Sequence, residues 1–297
     1  VKVVSRTQKA GIAALGTFDG LHLGHQAIVA RAKAWALELA LPVTVITFRR
    51  HPLELWGKAP PALMTLRQKE SALAELGVDM LLPLDFTPKL AGLTGHDFIA
   101  FLRRLGVRGA VVGYNYTFGK GGEAGPGELA LWAPFPVKIV EKVEAAGIPV
   151  SSSRIREALS AGEMMEARQL LGRSYAISGT VVSGAGRGRI LGFPTANLEV
   201  PPEILLPKEG VYTVRAAGAN MGAGGAVLNL GPCPTFGQMF QTIELFLPNF
   251  QGDLYGQTLT VEFIRYLRPQ RRFAEPALLV RQIKADLAEL RKDENLV

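Results

Sequence analysis

The chain has 297 residues, 48% of them hydrophobic and 20% charged, which is enough for a full core in one or two domains. A single cysteine, Cys233, excludes an intrachain disulfide and fits a reducing cytoplasm, and no apolar run approaches the roughly 18 residues of a membrane span. Net charge is +7, but the basic residues are scattered without aromatic interleaving, so small polyanions are expected as partners rather than nucleic acid or a membrane.

Residues 1–9 lack the apolar core of a signal peptide. Residues 12–15 form an apolar run that reads as a buried strand, and residues 26–40 repeat Ile28, Val29, Ala32, Trp35, Ala36 and Leu39 at helical spacing. Between them lies Gly16-Thr17-Phe18-Asp19-Gly20-Leu21-His22-Leu23-Gly24-His25. A strand, a glycine turn and a helix start gather outward-pointing N–H groups at a positive helix end, which suits a phosphate. His22 and His25 are three residues apart and share one face of a first helical turn. Two imidazoles there can donate hydrogen bonds to the charge that develops during phosphoryl or nucleotidyl transfer.

Further along, residues 42–48, 78–84, 109–113 and 137–143 read as buried strands, with helices over 66–76 (capped by Thr65) and 96–105 between them. Continuous apolar strands alternating with helices predict a parallel sheet covered on both faces, with ligands beyond the strand carboxyl ends. Segments 16–25, 48–52 (with His51) and 113–119 (with Asn115) all begin at such ends. Ser151-Ser152-Ser153-Arg154-Ile155-Arg156 then opens a helix, placing hydroxyls, free N–H groups and guanidiniums where an anion can bind. A short helix over 163–171 bridges to the second half, so the boundary falls between Gly162 and Tyr175, giving domains 1–170 and 171–297.

From Tyr175 on, short strand-like runs (176–182, 211–217, 225–230, 241–247 and 258–266) separated by glycine and proline turns predict a small antiparallel barrel, closed by an amphipathic helix over 274–292. Gly184, Gly186, Gly188 and Gly192, with Arg187 and Arg189, make a basic glycine loop that runs into Phe193-Pro194-Thr195-Ala196-Asn197. Glu244 is a lone carboxylate in the apolar run Ile243-Glu244-Leu245, costly there unless paired or used.

The segment Gly-x-Phe-Asp-Gly-x-His-x-Gly-His resembles the signature of the HxGH nucleotidyltransferases. The Ser-Ser-Ser-x-x-Arg element, the Pro-Thr-Ala-Asn segment, Asn229-Leu230-Gly231-Pro232-Cys233-Pro234-Thr235-Phe236-Gly237 and Glu244 are similar, in order, to elements of the bacterial bifunctional riboflavin kinase/FAD synthetases. The resemblance implies a Rossmann-like parallel α/β domain followed by a riboflavin kinase barrel with a C-terminal helix. It implies phosphorylation of riboflavin to FMN by ATP, then adenylylation of FMN to FAD with release of pyrophosphate, and Mg²⁺ as cofactor. On the adenylyltransferase side it assigns catalysis to His22 and His25, and ATP and phosphate binding to Gly16, Phe18, Asp19, Gly24, Ser152, Ser153 and Arg156. His51 and Asn115 fall to FMN or nucleotide binding. On the kinase side it assigns ATP and Mg²⁺ binding to Gly184, Arg189, Gly192, Thr195 and Asn197, the last two as metal donors of the hard type Mg²⁺ accepts. It assigns the flavin to a loop that includes Thr235, and the general base to Glu244.

Four positions depart from the family pattern: Thr117 and Gly122 stand where arginine is usual, Cys233 where arginine is expected, and Phe246 where histidine is. The alternatives are a chain that retains one activity only, or a different HxGH transferase such as a cytidylyltransferase or pantetheine-phosphate adenylyltransferase. The Pro-Thr-Ala-Asn barrel argues against the latter. A class I aminoacyl-tRNA synthetase would need a Lys-Met-Ser-Lys-Ser-like loop, which the sequence lacks. A basic RNA-binding or flavin-sensing protein would consume no ATP. The reading leaves a homo-oligomer open.

Overall fold

The computed structural model describes residues 1–4, 10–184, 192–235, 238–248 and 250–293, with backbone only for 233–235 and 238–241. Its backbone divides into two compact units, Val1–Ser152 and Ser153–Val297.

The first unit is built on six parallel strands: β1 (Lys2–Val3), β2 (Gly11–Leu15), β3 (Val43–Phe48), β4 (Met80–Leu84), β5 (Val107–Gly113) and β6 (Val137–Val140), in the order β1-β4-β3-β2-β5-β6. Alternate residues along each strand feed two separate cores. Ile12, Ala14, Val45 and Val111 pack on one face with helix α1 (Leu23–Glu38) and helix α2 (Leu66–Glu75). Ala13, Leu15, Ile46 and Val112 pack on the other. There they meet α4 (Gly95–Arg104) and α5 (Pro126–Trp132), and a single turn, α3 (Pro88–Ala91), precedes them. Two covered faces are why these strands read as unbroken apolar runs. Strand order reverses at β2, with β3 on one side and β5 on the other, and ligands in open α/β sheets bind at such a point. A small hairpin, β7 (Glu144–Ala145) and β8 (Ile148–Pro149), leads to α6 (Ser152–Ala161).

In the second unit α7 (Met164–Leu171) is followed by β9 (Tyr175–Val182), β10 (Thr195–Glu199), β11 (Gly210–Gly218), β12 (Met221–Thr235), β13 (Gln238–Phe246) and β14 (Thr258–Arg268). They close into an antiparallel barrel, β10-β13-β12-β11-β14-β9, and α8 (Pro276–Leu290) lies on its outside. Leu287 and Leu290 of α8 pack on Val211, Val227, Ile264 and Leu267. The helix is also held by a nearly buried ion pair, Arg268 to Asp286, at 2.7 Å.

Three local expectations need correction. Helix α1 begins at Leu23 rather than Gln26, because the His22 ring accepts the His25 N–H and caps it. Thr195-Ala196-Asn197, absent from the expected strands, begins strand β10. Residues 229–235 are likewise strand, paired with β13 from Asn229↔Glu244 to Thr235↔Gln238.

Candidate active sites

The glycine turn leaves β2 in a backbone that side chains seldom adopt. Phe18 (φ 49°) and Leu21 (φ 43°) are both left-handed, as is Gly20 (φ 76°). Left-handed backbone at a bulky residue is unfavourable by about 1–2 kcal/mol each, so the surroundings must impose it. Several bonds do so. The Thr17 carbonyl accepts both the Thr47 hydroxyl (2.9 Å) and the Lys69 ammonium (2.8 Å). The Asp19 carboxylate accepts the Leu63 N–H (2.9 Å), and the Leu21 carbonyl accepts the Gln26 amide (2.9 Å). From 133 residues away, the Ser152 hydroxyl, at the end of the first unit, donates to the Asp19 carbonyl (3.0 Å).

The turn delivers two stacked imidazoles. The His22 and His25 rings lie 3.6 Å apart and within 13° of parallel, with the Phe18 ring 5.2 Å from His25. Gly24 makes room for the pair: a Cβ there would come 3.2 Å from His22 Cε1. Burial first, then the neighbouring His22 and Lys69, holds His25 well below the ordinary histidine value. Its Nδ1 is enclosed with no hydrogen-bond partner.

The other expected residues of this half are placed by the same sheet. His51 follows β3, and its Nδ1 accepts the Leu53 N–H to cap a short turn over Pro52–Trp56. Asn115 follows β5 and is exposed. These two segments and the glycine turn therefore leave three adjacent strands at one edge of the sheet. Ser153 and Arg156 continue helix α6 in the second unit.

In the barrel, pairing register assembles the second group. Glu244 on β13 stands opposite Asn197 on β10 and Asn229 on β12, a polar row across three strands. Leu198, Leu228, Leu230, Ile243 and Leu245 fill the interior, so the alternate residues Asn197, Asn229 and Glu244 face outward, as do Thr195, Phe246 and Val227. Gln270 donates to the Asn229 side-chain oxygen at 2.9 Å and extends the row. Phe246, one of the departures, packs edge-on to Phe193, 5.4 Å away. Gly184 presses its backbone on Asn197, where a Cβ would fall 2.0 Å from the amide nitrogen. Gly192 is left-handed (φ 81°) with open space around it. Arg189 lies outside the described residues, as does the Thr235 side chain.

Thr195 and Asn197, two apart on one outer face, fit a magnesium ion that takes most of its oxygens from phosphates and water. Among the described residues, no group of three His, Cys, Asp or Glu side chains offers a protein-only cage.

Lys69 and Gln270, the partner of Asn229, were not singled out by sequence. Lys69 stands on the stripe Leu66, Lys69, Leu73 at helical spacing, and a lysine on an apolar stripe was the available signal.

A parallel α/β unit with its imidazole pair at the switch point, followed by a closed barrel with an outward polar row around one carboxylate, defines a two-module nucleotide-using transferase. Residues 4–154 match the FAD synthetase family and residues 171–293 the riboflavin kinase family. Among curated proteins the chain is 37% identical over 287 residues to the bifunctional riboflavin kinase/FMN adenylyltransferase of Listeria monocytogenes, covering 94% of this chain and 91% of that protein. It is 35% identical to the protein of the same name from Bacillus subtilis, covering 97% and 93%. A solved structure described as a macrolide-efflux protein from Streptococcus pneumoniae superposes with a TM-score of 0.90 at 31% identity, covering 97% of this chain and 98% of that one. No helix among the described residues is long and apolar enough to cross a membrane. The chain belongs to the bifunctional riboflavin kinase/FMN adenylyltransferase family.

Proposed function

We propose a division of labour between the units for the riboflavin kinase and FMN adenylyltransferase activities of this family. The barrel transfers the γ-phosphoryl of ATP to the primary ribityl hydroxyl of riboflavin, and the parallel unit joins the resulting FMN phosphate to the AMP part of a second ATP, releasing pyrophosphate. Glu244 takes the hydroxyl proton, flanked by Asn197 and Asn229. Thr195 and Asn197 would hold a magnesium–nucleotide, and a metal bound there would supply neutralisation of phosphate charge. Gly184, Arg189 and Gly192 are assigned to the ATP phosphates and Thr235 to the flavin.

Adenylyl transfer needs no general base, because the FMN phosphate is already anionic. It needs charge stabilisation at the α-phosphorus. The imidazole protons can be assigned from the surroundings. His22 Nδ1 accepts a backbone N–H, which puts its proton on Nε2. His25 is kept neutral, and an enclosed, unpartnered Nδ1 is less costly as a lone pair than as an N–H, so its proton also sits on Nε2. Both rings therefore carry their proton on Nε2, the form in which an imidazole donates to a phosphate. Gly16, Phe18, Asp19 and Gly24 shape the phosphate side of the turn, His51 and Asn115 meet FMN or the nucleotide, and Ser152, Ser153 and Arg156 bind the departing pyrophosphate.

The single observation that carries this reading is the stacked His22–His25 pair on a turn pinned by buried hydrogen bonds. Incubation with riboflavin, ATP and Mg²⁺ followed by chromatographic separation of flavins tests it. FMN should appear first and FAD after it; neither product would end the proposal.

A further inference from the structure

Lys69 is the one charged side chain of α2 that the structure buries. Only 7% of it is exposed, and its ammonium donates to the Thr17 carbonyl at 2.8 Å. A buried ammonium is expensive, and nothing in the packing of Leu66 and Leu73 beside it calls for one. The Thr17 carbonyl already accepts the Thr47 hydroxyl, so removing the lysine would not leave that oxygen bare. What it would remove is a fixed positive charge beneath the turn and one of the bonds holding the left-handed backbone at Phe18.

We propose that Lys69 is a positioning residue for adenylyl transfer: its buried ammonium clamps the Thr17 carbonyl and so fixes the strained turn that carries His22 and His25. This deepens, and rests on, the reading of those histidines as the adenylyl-transfer pair. The charge contributes as well as the bond. Lys69 is among the groups that hold His25 in its neutral form, after burial and His22. Burial pushes Lys69 itself down to about 8, against the pull of the Asp19 carboxylate. The titratable groups that act around it are thus Asp19 from the turn and His25, with His22 stacked on it, from the start of α1. An ammonium with that pKa is charged below pH 8 and neutral above it, so the clamp weakens as pH rises through about 8.

The test compares Lys69→Met, Lys69→Arg and His25→Ala in the full chain, following FAD formation from FMN and ATP, with riboflavin phosphorylation as an internal control for the barrel and the dispersion of the NMR spectrum as the control for folding of the parallel unit. Lys69→Met should lower the FAD-forming kcat about 30- to 100-fold, the scale of a small misplacement of catalytic groups, while KM values move less than about threefold. Riboflavin phosphorylation should be unchanged, and the His25 ring, followed by NMR, should titrate at higher pH. Lys69→Arg should recover activity to within about fivefold and, because guanidinium stays charged, should keep it above pH 8 where the native enzyme declines. The Arg variant and the native pH profile decide the matter if Lys69→Met does not fold. A native kcat in Lys69→Met, an unmoved His25 titration, or identical alkaline profiles for the native and Arg forms would overturn the role of Lys69. If His25→Ala makes FAD at the native rate, the underlying site assignment fails instead. If His25→Ala is inactive and Lys69→Met is normal, only the clamp is refuted.

Discussion

In the parallel unit the proposed catalytic groups are enclosed. His22 and Lys69 are both buried, the His25 Nδ1 sees no solvent, and the backbone that carries the rings is held left-handed by bonds from Thr47, Leu63 and Lys69. In the barrel the candidate base stands on the outer face of a strand, placed by pairing register opposite Asn197 and Asn229. The contrast matches the demands of the two reactions as proposed. A step that runs on positioning and charge stabilisation gains from a rigid, poorly solvated turn, since donors fixed in advance need no reorganisation. A step that removes a proton gains from a carboxylate that substrate and water can both reach.

The largest separation between the sites should appear in their key side chains. His25→Ala is expected to lower FAD formation from FMN about 10²–10³-fold while leaving riboflavin phosphorylation intact. Glu244→Gln should lower FMN formation about 10²–10⁴-fold and leave FAD formation from supplied FMN unchanged. Loss of both activities in either folded variant would break the comparison. Next comes the fastening of α8 to the barrel. Arg268 and Asp286 are only 14% and 6% exposed, so Asp286→Ala leaves a nearly buried guanidinium without its carboxylate. Denaturation of the barrel unit should show a loss of about 3 kcal/mol, and a change below about 1 kcal/mol would mean the pair is not structural.

Smaller effects sharpen the account of the turn. Gly24→Ala puts a Cβ 3.2 Å from the His22 ring, which must shift by a few tenths of an ångström. FAD formation should fall about three- to tenfold with no effect on the kinase. The smallest effect concerns pH. Because the His25 pKa is lowered well below 6.5, the ring stays neutral from about pH 6.5 to 7.5, and FAD-forming kcat should be flat there. A steep rise or fall centred in that range would show that a charged His25 takes part.

How much of this was legible in the chain depended on how local each signal was. The parallel strands announced themselves because both faces are covered, so Val43–Phe48 carries no polar alternation on either side that would mark a solvent face. The capping box of Thr65 and Gln68 was equally local. Strand β1 was invisible: two exposed residues, Lys2 and Val3, join the sheet edge through backbone pairing with Met80 and Leu81. Strand β10 was masked by its outward polar residues Thr195 and Asn197, which look like a turn. The segment with Pro232 and Pro234 was expected as a loop from its resemblance to a flavin-side loop. Past Leu230, however, β12 pairs with β13 alone, leaving one side of the strand with no ladder to complete, which is where proline is tolerated.

The sites split the same way. The His22–His25 spacing was readable because three residues on a first helical turn is a local relation. Lys69 lies 52 residues from the carbonyl it holds, and Asn229 meets Glu244 only through barrel register. Such partners are fixed by tertiary pairing, which leaves no periodic trace in a single sequence.

The most direct measurement mixes His25→Ala with Glu244→Gln and supplies riboflavin, ATP and Mg²⁺. Alone, the first should stop at FMN and the second should leave riboflavin unchanged. Together they should make FAD, because FMN released by one chain can be adenylylated by the other. A mixture that accumulates FMN yet forms no FAD would contradict two independent modules working in sequence.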